Sequence, residues 1–111
     1  MKRKFAGSLW QVKPLPEKAQ GGLWHTNTCE VVPEPIEPTR QDRARWRRDW
    51  LESGARVLVT GEPVPTIDTD PGKRHHRYVP VMGHGTDGLM RRGYMNETYF
   101  VYGSIWLEKI A

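Results

Sequence analysis

A chain of 111 residues suits one domain, with one hydrophobic core and little left for a second. Hydrophobic residues make up 37% and charged residues 27%, and with five Trp and four Tyr this excludes a disordered chain, because aromatic side chains bury large areas. A formal net charge of +4 is too mild to name a nucleic-acid partner by itself, and the lone Cys29 excludes an intrachain disulfide.

A single cysteine fits a reducing compartment. The basic start, residues 1–16, lacks the apolar core of a signal peptide, and no apolar run reaches membrane-spanning length. The expected setting is therefore cytoplasmic, with no membrane partner.

Residues 8–13, "SLWQVK", alternate loosely as a strand does, and Pro14 and Pro16 end it. Residues 23–32, "LWHTNTCEVV", are rich in β-branched and aromatic residues and are expected to pair with that strand as a hairpin. The proline run "PEPIEP", 33–38, reads as an extended connector between this hairpin and a helix with a C-terminal barrel, within one domain spanning 1–111.

The spacing then predicts a helix over residues 40–53. Thr39 is a good N-cap, Asp42 lies in the first turn where a carboxylate suits the helix dipole, and Gly54 stands where a C′ glycine closes a helix. Residues 55–60, "ARVLVT", form a strand with Val57 and Val59 on one face. Residues 61–76 form a long loop, an uncommon and often functional feature in a compact domain. Residues 77–83, "RYVPVMG", resume as a strand, with Pro80 pointing to an edge or a bulge, and "HGTDG", 84–88, is a turn. Residues 97–110 read as two strands or one bent strand broken at Gly103.

Five to seven short strands and one helix imply an α+β fold: a small barrel or rolled antiparallel sheet, similar in pattern to an SH3-like β-barrel, carrying one α-helix at about residues 40–53. No family motif accompanies that pattern. The expected core comprises Trp10, Val12, Trp50, Leu51, Val57, Val59, Val79, Val81, Phe100, Ile105 and Leu107.

Function is sought first in "RQDRARWRRDWLE", residues 40–52, which carries five arginines and two tryptophans. On a helix Trp46 and Trp50 share a side, and Arg43 and Arg47 lie between the apolar sides. Either the tryptophans dock on the sheet while the arginines snorkel past its edge, or the Trp–Arg surface is open and takes phosphates and bases. Asp42, Asp49 and Glu52 temper the second reading. A second basic stretch, Lys73, Arg74 and Arg77 with His75 and His76, lies in or beside the long loop. A third sets Arg91 and Arg92 beside Tyr94.

No C-x-x-C, phosphate loop or nucleophile elbow is present. No cofactor and no metal is expected. "DTD", 68–70, with Glu62 offers oxygen ligands, but a turn before Pro71–Gly72 explains those aspartates more simply. The leading reading is a small basic, non-catalytic module contacting nucleic acid or a nucleic-acid-binding protein through Arg43, Trp46, Arg47, Lys73, Arg74, Arg77, Arg91 and Arg92. The alternatives are a protein-binding inhibitor or accessory protein of the phage or plasmid type using a Trp/Arg-rich surface, and a small enzyme or metal protein centred on the 61–77 loop.

Overall fold

Short runs of alternating apolar and polar residues set the architecture, because side chains along a strand point to opposite faces with period two. In a computed structural model the residues described are 5–14, 28–36, 49–67, 76–101 and 105–111. They contain eight strands: β1 (Leu9–Val12), β2 (Thr28–Val31), β3 (Asp49–Glu52), β4 (Arg56–Val59), β5 (Val64–Pro65), β6 (Arg77–His84), β7 (Met90–Asn96) and β8 (Leu107–Lys109).

Six of these form one antiparallel sheet. Strand β6 is its centre: β7 pairs along one edge, while β4 and then β5 share the other, and β1 and β8 lie beyond β4. Strands β2 and β3 form a separate two-stranded sheet, with Cys29 opposite Leu51 and Glu30 opposite Trp50. The two sheets meet where Val32 and Tyr94 exchange both backbone hydrogen bonds, at 2.9 and 2.8 Å. Gly93 permits this approach, since a Cβ there would lie 2.5 Å from the Val32 carbonyl oxygen.

The core lies between the sheets. Cys29, Val31 and Leu51 from the small sheet join Trp10, Val12, Val57, Val59, Val79, Val81, Met95, Phe100 and Leu107. Nine of the eleven residues expected in the core are buried there; Trp50 and Ile105 are exposed.

Pro80 sits in a central strand, not at an edge or a bulge. Its carbonyl accepts from Thr60 N at 2.9 Å, on the side where β4 has ended and β5 has not begun. The N–H that proline lacks would face Thr60 O on the same side, so the strand forgoes one reciprocal bond at the last rung beside β4. Residues 97–100, expected as strand, form a 3-10 turn. Asn96 starts it by accepting from Thr98 N and Thr98 Oγ1 at 3.0 and 2.9 Å, and the turn swings Phe100 into the core.

The expected fold class is overturned. The chain is mostly β, its antiparallel sheets do not close into a barrel, SH3-like or other, and no α-helix occurs among the described residues. Of the helix expected at 40–53, residues 49–52 are β3, with their backbone paired to β2; residues 40–48 lie outside the described residues. Gly54 does stop an element, but it stops a strand. It has φ +93°, and Ala55 N donates to Glu52 O across the turn. The left-handed conformation that suits a helix C′ position suits this turn equally.

The expected hairpin between residues 8–13 and 23–32 is also absent, because β1 has both edges occupied by β4 and β8. No helix among the described residues is long and apolar enough to cross a membrane.

Candidate functional site

Four chain segments converge beside the core to form a cleft of about 400 Å³, open to solvent. Phe5 enters from the segment before β1, Glu62 and Pro63 from the link between β4 and β5, and Arg77 and Val79 from the start of β6. Phe100 and Val101 come from the end of the 3-10 turn and Glu97 from its start.

The floor is aromatic and fixed. Phe5, Trp10 and Phe100 meet edge to face, with ring centroids 5.1 to 6.0 Å apart, an arrangement that favours aromatic pairs beyond the area they bury. Ser8, itself buried, locks the start of β1 beneath them. Its hydroxyl donates to Phe5 O at 2.6 Å and accepts from Trp10 Nε1 at 2.9 Å. A buried hydroxyl satisfied on both sides holds one geometry.

The rim is charged. Glu97 accepts from the backbone N–H of Arg77 at 3.0 Å through Oε1 and from Arg77 Nε at 2.9 Å through Oε2. The carboxylate is thus gripped at two points, once by the guanidinium and once by the backbone. Glu62 accepts from Ala6 N at 3.3 Å through Oε1, and among the described residues it meets no cation within salt-bridge distance. Arg77 and Glu97 thus cancel, and Glu62 leaves one negative charge at the mouth of an apolar hollow.

The other arginines expected to act together are separated. On β7, alternation sends Arg91 and Arg92 to opposite faces of the sheet. Arg91 reaches the β6–β7 turn, where its Nη1 and Nη2 donate to Asp87 Oδ1 and Oδ2 at 3.1 and 2.7 Å. Those bonds, together with the Leu89 N–H, hold the Asp87 carboxyl down at about 2. Arg92 is exposed on the face turned away from the core, opposite Met82. Among the described residues, Arg77 is therefore the one expected site residue found in the cleft. Arg43, Trp46, Arg47, Lys73 and Arg74 lie outside the described residues, as do His75 and residues 68–70.

Cys29 offers no nucleophile. It is fully buried on β2, and burial pushes its thiol up to about 12, so it is protonated at neutral pH.

Phe5, Glu97 and Val101 escape sequence reasoning, since an N-terminal segment and a capped turn after the last long strand carry no motif. The unusual length of the 61–76 loop is the usable signal, because its two ends supply Glu62, Pro63 and, directly after it, Arg77.

No family model, curated protein or solved structure matches the chain.

Proposed function

We propose that this chain is a protein-binding module, and that its cleft receives an apolar side chain of the partner. The observation that carries this reading is the pairing of a rigid aromatic floor with an open mouth. Phe5 and Phe100 supply the floor, while Val101 stands 58% exposed at the edge. A site for a small molecule commonly encloses most of its ligand. An open cleft suits a side chain presented by a larger body, whose surrounding surface completes the exclusion of water.

The charge pattern supports a protein over a nucleic acid. Binding a phosphate backbone draws on arginines that converge and release counterions. Here Arg77 and Arg91 are each held by a carboxylate, and Arg92 is on the far side of the sheet from Arg91.

The test is selection of peptides from a displayed random library on the full chain at high salt, beside binding assays with labelled DNA and RNA at low salt. Peptides that survive high salt and bind roughly tenfold more weakly to Val101→Glu, as expected for losing one apolar contact, support the reading. Steeply salt-dependent capture of DNA or RNA, with no peptide that depends on Val101, replaces it by the nucleic-acid reading.

A further inference from the structure

Taking the cleft as a site for a partner's apolar side chain, we infer that the partner segment carries a basic residue, Arg or Lys, directly beside that side chain, and that Glu62 recognises it. The inference rests on that reading of the cleft and adds the partner's charge.

Charge balance at the rim leads to it. Arg77, Glu97 and Glu62 are the charged residues lining the cleft among those described, and Arg77 and Glu97 are bonded to each other at 2.9 Å with the Arg77 backbone N–H added at 3.0 Å. A further anion arriving there would have to compete with a carboxylate already gripped at two points. Glu62 stands differently. Among the described residues its hydrogen bonding is the 3.3 Å contact from Ala6 N through Oε1, and it is exposed. It is thus the charge that a partner can neutralise without breaking the Arg77–Glu97 pair.

Position matters as much as charge. Pro63 comes directly after Glu62, and both line the cleft. Proline has fixed φ and no N–H, so the carboxylate sits on a restrained segment next to the apolar floor. A ligand that places an apolar group on Phe5, Val79 and Phe100 brings its neighbouring side chain to Glu62. A guanidinium or ammonium on a flexible apolar stem meets that requirement, since the stem can lie along Pro63 while the charge stays in solvent. An acidic neighbour would meet like charge at Glu62.

The experiment uses blocked hexapeptides with a central Phe–Arg pair, compared with Phe–Gln and Ala–Arg, titrated against the full chain by fluorescence anisotropy or NMR. The expected result is about 2- to 5-fold tighter binding of Phe–Arg than Phe–Gln, the range of an exposed ion pair, and weak binding of Ala–Arg. The preference for Arg should vanish in Glu62→Gln, which keeps an oxygen to accept the Ala6 N–H, and reverse toward a Phe–Glu peptide in Glu62→Lys. Equal binding of Phe–Arg and Phe–Gln overturns the inference and leaves the cleft as an apolar site. Failure of both Phe peptides to bind overturns the cleft reading together with the inference.

Discussion

The Cys29 thiol lies between the two sheets, opposite Leu51 and wholly shielded from water. Burial disfavours the thiolate and lifts the group from its ordinary 9.0 to about 12. The folded-state value is above the unfolded one, so the protonated thiol contributes stability that is fully present below about pH 9. That contribution is lost as pH rises toward about 12. Two outcomes are expected. A thiol reagent at pH 8 should leave the folded protein unmodified and label it rapidly in denaturant. The Tm of the wild-type chain should also fall more steeply than that of Cys29→Ala above pH 9. Rapid labelling of the folded chain would place Cys29 at the surface and remove its role in the core.

The strand Asp49–Glu52 shows how a local signal can be right about a boundary and wrong about an element. Residues 39–54 carry a cap, a helical run and a terminal glycine, and Gly54 does end an element with a positive φ of 93°. The deciding influence is non-local: Cys29 and Glu30 stand ready to pair with Leu51 and Trp50, and tertiary pairing overrides propensity. Alternation then fixes the sides. Leu51 is fully buried, whereas Trp50 is 40% exposed and lines a small hollow with Glu52, Asp87 and Arg91. Leu51→Ala should cost about 2–5 kcal/mol in urea unfolding, and Trp50→Ala less than about 1 kcal/mol, in keeping with a surface position. A helix docked by its tryptophans would make Trp50→Ala as costly as Leu51→Ala.

The strands β1 and β4 are legible in the sequence because Trp10, Val12, Val57 and Val59 alternate with less buried neighbours, and period two is a purely local signal; in β6 Val79 and Val81 share it although Tyr78 beside them is also buried. Pairing partners are not legible. Nothing in residues 8–13 says that β1 will lie between β4 and β8, and Pro80 points away from a central strand although its carbonyl accepts from Thr60 N just past β4. The candidate site is least legible of all. Arg77 stands out in the sequence as part of a basic cluster, yet it acts with Glu97, twenty residues away, and no spacing rule links a loop end to a capped turn.

At the scale of the whole molecule, the two sheets enclose one core, and the cleft opens where that core reaches the surface beside Phe5 and Phe100. Of the described arginines, Arg77 and Arg91 are each held by a carboxylate, and Arg56 and Arg92 are exposed on the sheet face turned away from the core; the proposed recognition surface is the concave, apolar one. The most direct test is to map backbone amide shifts of the full chain as a blocked Phe–Arg hexapeptide is titrated in, with a short DNA duplex then added to the peptide-bound chain at low salt. If the cleft is the binding site, the peptide will shift amides near Phe5, Glu62, Arg77, Val79, Glu97 and Val101, and the duplex will not compete with it. Peptide shifts centred instead on Arg92 and Met82, or a duplex that displaces the peptide from the cleft, would contradict that assignment.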